Sequence, residues 1–315
     1  MPRPLTHIAV VGDTHGHLQL GLCVMARWQK LLGVRLEALF LCGDVGTFTN
    51  SDQLDNATRL HAKDNPVELE FLHQWSVDPQ PNWLSHIFDS SGLDLECPVI
   101  MVHGNHEGFA HLERLARGRG RKDDCVEIDD LPFVDSGEHI RYLPSGWRVK
   151  LPSGYVAGGV GGMEAGQRRA KYHPMAYIDE NSVLQLLDNA AKIDILITHQ
   201  GPSGVQADRG APSLQPLLDR EVARVWFHGH SARHPEVAWC GPTQSTCLAP
   251  LGDAAFCGTA MDDPGQDAYA VLSIDERCVR VKKEPPPFLR DFRFKYWTAT
   301  RDGLWVCPDL QKCER

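Results

Sequence analysis

At 315 residues, with 42% hydrophobic and 23% charged residues, the chain can bury a sizeable core and has the make-up of an ordinary globular protein. Its formal charge of −9 argues against a general affinity for nucleic acid or anionic membranes, and no apolar stretch approaches the length of a bilayer span. The amino terminus carries no apolar signal core, so a cytoplasmic location is expected; the ten cysteines show no CxxC spacing and read as reduced thiols.

The first apolar run, 8–11, reads as a buried parallel strand and is followed by Asp13-Thr14-His15. Residues 18–32 have helical periodicity, and 38–42 form a second strand that ends at Gly43-Asp44, completing a βαβ unit. Sixty-one residues then separate Asp44 from Asn105, more than one crossover needs. The surplus, 47–94, is polar and aromatic and is expected to sit beside the polar loops as a cap-like insert, the alternative being a surface elaboration with no substrate role. The third strand, 99–102, leads to Gly104-Asn105-His106-Glu107, and a helix over 111–116 gives way to a basic loop at 118–124. Segments 140–143, 147–151 and 155–158 alternate like antiparallel strands, with a turn at Pro144-Ser145-Gly146. The glycine run 158–162 reads as a bend, followed by Arg168, Arg169 and Lys171. A helix is expected over 177–191. Strands 193–198 and 222–227 then run into His199 and into His228-Gly229-His230. A hairpin of 268–274 and 279–283 closes a domain expected to span 1–284. Three prolines from Pro285 introduce an aromatic extension, 285–315, expected to pack back on that domain.

Five polar clusters at strand carboxyl ends describe a metal site, since open α/β sheets gather ligands there. Asp13 and His15 are two apart and both turn toward one ion, whereas a carboxylate such as Asp44 has two oxygens and can bridge two ions. Asn105 offers a neutral oxygen, and His199, His228 and His230 offer imidazoles. Mixed nitrogen and oxygen donors suit Mn, with Fe, Zn or Ni as alternatives, better than Mg or Ca. Two divalent ions, two carboxylates and a bridging hydroxide leave about one net positive charge, which draws a phosphate anion and lets the hydroxide attack in line. His106 projects past such ions and is placed to protonate the leaving oxygen.

In this order, Gly12-Asp13-Thr14-His15-Gly16, Gly43-Asp44, Gly104-Asn105-His106-Glu107, Thr198-His199 and His228-Gly229-His230 resemble the calcineurin-like metallophosphoesterase superfamily over roughly residues 8–283. The resemblance implies a four-layer α/β/β/α sandwich, two metal ions and hydrolysis of a phosphodiester or small phosphomonoester. It implies Asp13, His15 and Asp44 on one ion; Asp44, Asn105, His199 and a histidine of the 228–230 pair on the other; and His106 as the catalytic residue. Two departures stand out. Asp44 is followed by Val45-Gly46-Thr47-Phe48, where the protein Ser/Thr phosphatases carry Val-Asp-Arg, so a protein phosphatase is the runner-up. Position 232 is Ala where the superfamily commonly has a second histidine. Either His228 and His230 both serve, or the first ion keeps three protein ligands. Arg168, Arg169 and Arg233 are candidates for substrate contact. The insert and basic loop faintly resemble the branch that cleaves 2′,5′ phosphodiesters in RNA, which brings a nucleotide or RNA into view as substrate. No stable protein partner is implied, and a non-catalytic scaffold ranks last because most expected ligands are present.

Overall fold

The computed structural model describes residues 3–75, 87–88, 94–117, 125–166, 172–188, 192–205, 210–230, 237–251 and 267–282, with two short strands at 298–299 and 305–306. In chain order the strands are β1 (Thr6–Val11), β2 (Leu36–Leu41), β3 (Val99–Met101), β4 (Val126–Glu127), β5 (Ile140–Tyr142), β6 (Arg148–Lys150), β7 (Val156–Val160), β8 (Ile193–Gln200), β9 (Ala223–Gly229), β10 (Val237–Cys240), β11 (Thr243–Cys247), β12 (Tyr269–Ile274) and β13 (Val279–Lys282). The helices are α1 (Leu18–Leu32), α2 (Asn56–Asp64), α3 (Phe109–Arg117), α4 (Glu180–Asp188) and α5 (Gln215–Asp219).

Two sheets carry the fold, in the orders β13-β12-β1-β2-β3-β5 and β10-β11-β9-β8-β7-β6-β4. The alternation of side chains along each strand sorts the apolar residues into three layers. Ile8, Val10, Phe40 and Ile100 of the first sheet meet Val149, Ala157, Ile195, Ile197 and Phe227 of the second between the sheets. The opposite face of the first sheet, with Ala9, Val11, Leu39 and Met101, packs on α1 through Leu22, Met25 and Trp28. The outer face of the second, with Leu196 and Trp226, packs on α4 and α5 through Val183, Leu186 and Leu217. Helices therefore cover both outer faces of a two-sheet core, as the sequence led us to expect.

Three readings are corrected. Strand β5 is not part of an antiparallel set with its successors: it pairs parallel with β3 and ends the first sheet, while β6 and β7 pair antiparallel in the second. The reason is burial, since Ile140 and Tyr142 belong with Val99 and Met101 on the α1 side, so the turn at Pro144 carries the chain from one sheet to the other. Gly158 and Gly159 lie within β7 rather than in a bend, and the chain turns only at Gly162, with φ 81°. The helix expected over 177–191 starts at Glu180 rather than at Tyr177 and is described to Asp188; 189–191 lie outside the described residues. Much of the insert (76–86 and 89–93), the boundary near 284 and most of the extension 285–315 lie outside the described residues; within the extension Thr298–Ala299 pairs antiparallel with Trp305–Val306.

Candidate metal centre

The first sheet delivers three polar loops to one edge. The chain leaves β1 into Asp13-Thr14-His15, β2 into Asp44, and β3 into Asn105 and His106. Backbone bonds tie the loops together: the Thr14 N–H donates to the Gly43 carbonyl at 3.3 Å and the His15 N–H to the Asp44 carbonyl at 2.9 Å. His15 and Asp44 take left-handed backbone, with φ 43° and 47°, which costs a non-glycine residue about 1–3 kcal/mol and persists where the surroundings fix it. The second sheet brings imidazoles. His199 continues the alternation of Ile195 and Ile197 toward the first sheet, where its Nδ1–H donates to the Cys42 carbonyl at 2.9 Å. Strand β9 runs out at Gly229. His230, with φ 66°, then sets its backbone N–H on Asp13 Oδ2 at 2.7 Å and its ring centroid 4.6 Å from that of His199.

Asp44 is the shared element. Its Oδ1 accepts the N–H groups of Asn105 and His106, both at 2.8 Å, while its Oδ2 lies 3.6 Å from His15 Nε2 and 3.6 Å from His199 Nε2. Gly104 permits this approach, because a Cβ there would stand 2.0 Å from Asp44 Oδ1. Two ligand sets result, each with its atoms within 4.8 Å of one another: Asp13, His15 and Asp44, and Asp44, His199 and His230. Asn105 Oδ1, 2.9 Å from His199 Nε2, adds a neutral oxygen to the second set.

The donor chemistry fits cations. Asp13 Oδ1 is buried without a hydrogen bond, and His199 Nδ1, 3.3 Å away, is committed to Cys42. With its proton on Nδ1, a neutral His199 presents a lone pair at Nε2 to two oxygens that are themselves acceptors. Such a convergence calls for a cation or a second proton. The titration behaviour agrees. Burial opposes a charge on His15, yet Glu68, Asp44 and Asp13 push it up to about 10. Burial likewise opposes a charge on His199, yet Asp44 and Asp13 push it up to about 9. Burial disfavours the Asp44 carboxylate, yet His199, His106 and His15 hold it well below the usual range. His230, pulled down to about 3 by burial and by His199, stays neutral. The carboxylate cage thus holds its positive charge as protons that divalent ions would displace on binding.

His106 stands beside this cage, its ring centroid 6.2 Å from that of His15. Its Nδ1–H donates to Asp55 Oδ2 at 3.0 Å, leaving Nε2 for a substrate. Asp55 caps α2: Oδ1 accepts from the Ala57 and Thr58 N–H groups at 2.8 and 2.9 Å, and Oδ2 accepts the Thr58 hydroxyl at 2.8 Å. Burial opposes a charge on His106, but Asp44 and Asp55 raise it; burial also opposes ionisation of Asp55, whose bond to His106 holds it down to about 2. Beneath the loops Glu107 gathers the N–H groups of Val45, Thr47 and Gly104 at 3.0, 2.9 and 3.2 Å. A cavity of about 450 Å³ opens next to Asn105 and Asp55, with Gln53, Asn56, Tyr172 and His173 in its wall.

Of the candidate ligands, Asp13, His15, Asp44, Asn105, His199 and His230 come together and His228 does not. The period of two along β9 places His228 on the outer face with Trp226, where its Nε2 meets Ser245 Oγ at 3.1 Å. Arg168, Arg169 and Arg233 lie outside the described residues. The sequence reading missed Asp55, Glu68 and Glu107 as contributors. Glu107 stood within the Gly104-Asn105-His106-Glu107 motif, Asp55 left a signal as the N-cap before the helix of Asn56–Asp64, and Glu68 left none.

The family model described as calcineurin-like phosphoesterase matches residues 6–234. No curated protein matches the chain. Among solved structures, TT1561 of Thermus thermophilus is 13% identical, with 89% of this chain and 99% of that chain covered at a TM-score of 0.47. A dimetal phosphatase from Danio rerio is 11% identical, with 88% and 94% covered at 0.46. A further solved chain, 12% identical with 91% and 100% covered, reaches 0.50; at that identity the likeness is one of fold.

Proposed function

Because this chain belongs to the calcineurin-like phosphoesterases and is thus a metal-dependent phosphoester hydrolase, we propose a binuclear enzyme that cleaves a phosphodiester or a small phosphomonoester. One observation carries the reading: Asp44 Oδ2 lies between His15 and His199 and is common to both ligand sets. Asp13, His15 and Asp44 would hold one divalent ion, and Asp44, Asn105, His199 and His230 the other. Mn suits these donors best, with Fe, Zn and Ni as alternatives. When bound, the pair supplies Lewis acidity toward the phosphoryl oxygens and a nucleophile at neutral pH.

The protein's own groups supply the rest. His106, with Nδ1 anchored on Asp55, carries the proton that its Nε2 gives to the leaving oxygen. The cavity of about 450 Å³ beside Asn105 and Asp55 has room for the leaving group of such an ester, with a nucleotide or RNA among the candidate substrates. No helix among the described residues is long and apolar enough to cross a membrane, and we place the enzyme in the cytoplasm without a stable protein partner. The test is a panel of aryl phosphates, nucleotidic diesters, cyclic nucleotides, branched RNA and phosphopeptides, assayed with Mn. Turnover of diesters or small monoesters that vanishes in Asp44→Ala is expected. Turnover confined to phosphopeptides would favour the protein phosphatase instead.

A further inference from the structure

The two ligand sets are unequal. The second has four side chains including Asn105, whereas the first has three, and position 232 is Ala. We infer that Glu68 of the insert strengthens the weaker set as a positioning residue, holding the His15 ring so that Nε2 faces the first metal; this rests on the binuclear reading above.

Both edges of the His15 ring face carboxylates. Nε2 lies 3.6 Å from Asp44 Oδ2, on the side of the ligand set, and Nδ1 lies 3.8 Å from Glu68 Oε2 on the far side. A carboxylate on the distal nitrogen of a metal-binding imidazole fixes which nitrogen carries the proton and makes the other a better donor. Glu68 is 7% exposed, and a carboxylate that far from water is costly unless a cationic or hydrogen-bonding group faces it. Its placement is built into the backbone. The turn Pro66–Leu69 presses on the first polar loop at Gly16, where φ is 80° and a Cβ would stand 1.9 Å from the Val67 carbonyl oxygen and 2.6 Å from Glu68 Cα. From the other side, the His17 ring Nδ1–H holds the His15 carbonyl at 3.1 Å. Two residues further on, the Glu70 carboxylate receives the Gln19 N–H at 3.2 Å and so anchors the start of α1. The insert therefore grips the segment from His15 to Gln19 at successive points, and Glu68 is the point that faces a proposed ligand.

The test is Mn titration of the full-length protein by calorimetry, with electron paramagnetic resonance to separate isolated from paired Mn, and thermal unfolding as the check on folding. Glu68→Gln and Glu68→Ala are compared with Asn105→Ala, which marks the second position. Wild type should take up two equivalents. The Glu68 variants should weaken one of them about 10- to 100-fold, the range for loss of such a supporting carboxylate, and lose the paired signal first. Asn105→Ala should weaken the other equivalent. Unchanged uptake in Glu68→Gln and Glu68→Ala, or equal weakening of both equivalents, would overturn the role of Glu68. Uptake of fewer than two equivalents by wild type would instead overturn the binuclear reading.

Discussion

His106 Nδ1 and Asp55 Oδ2 are 3.0 Å apart although 51 residues separate them, and the same carboxylate caps α2. A helix cap is among the better-fixed carboxylates a chain can make, because backbone N–H groups hold it. The His106 imidazole, the proton donor we propose, is thereby oriented by the cap of α2 rather than by its own loop. Asp55→Asn should keep the cap, since Asn is as good an N-cap as Asp, while withdrawing one of the two negative charges, Asp44 and Asp55, that raise His106. In the proposed role His106 acts protonated, so the basic limb of the kcat profile should move to lower pH, with kcat near neutrality falling on the order of 10-fold. His106→Ala should lose roughly 10²–10⁴-fold. A pH–rate profile reads both, and an unmoved basic limb in Asp55→Asn would sever the pair from catalysis.

Gly104 leaves room for the shared carboxylate. Gly104→Ala places a methyl group 2.0 Å from Asp44 Oδ1 and 2.3 Å from Asp44 N, both rigidly held. The expected outcome is a folded protein destabilised by about 1–3 kcal/mol and depleted of both metals, because Asp44 serves both sets. Denaturant unfolding together with metal analysis checks it; a variant with full metal content would show that Asp44 has more freedom than its two backbone bonds suggest.

The histidine pair of the last cluster can be separated by mutation. His230→Ala should abolish uptake of one metal equivalent and most activity. His228→Asn should keep metal uptake and alter stability, since the His228 ring reaches Ser245 rather than the ligand sets. Measuring metal stoichiometry of the two variants side by side decides the assignment, and the reverse pattern would restore His228 as a ligand.

Glu70 offers a pH test of the insert's grip on α1. Burial pushes its carboxyl well above the usual carboxylate range, so the folded state binds this proton more tightly than the unfolded chain. Stability from this group is therefore greatest below the unfolded pKa and declines as pH rises toward the folded one. Glu70→Gln retains an acceptor for the Gln19 N–H and removes the titration, so its stability relative to wild type should improve from mildly acidic to neutral pH. Glu70→Ala should cost about 0.5–2 kcal/mol as a lost cap. Urea unfolding across that range is the measurement, and a Gln variant less stable at every pH would refute the buried-charge account.

The strands that carry the site were legible because parallel strands buried on both faces read as unbroken apolar runs, and the polar residues beyond them are local in sequence. That logic reached Asp13, His15, Asp44, Asn105 and His199. It failed at β11, whose sequence Thr-Gln-Ser-Thr-Cys is polar yet wholly buried, with Thr243 Oγ1 donating to the Ala223 carbonyl and Ser245 meeting His228. A buried strand built of polar residues leaves no hydrophobic pattern to read. The register of the last cluster was equally hidden, because it depends on β9 ending at Gly229. Asp55 and Glu68 were invisible as partners because nothing near them in sequence announces His106 or His15. Only the closure of the insert onto the loops brings them there.

The left-handed backbone at His230 sets stability against activity within one residue. Glycine adopts that conformation without steric penalty and keeps the backbone N–H on Asp13, so His230→Gly would relieve strain while deleting a proposed ligand. Selection for heat resistance alone would push this position away from histidine. A laboratory lineage evolved for thermal tolerance without a demand for turnover should lose the centre there first and keep the fold.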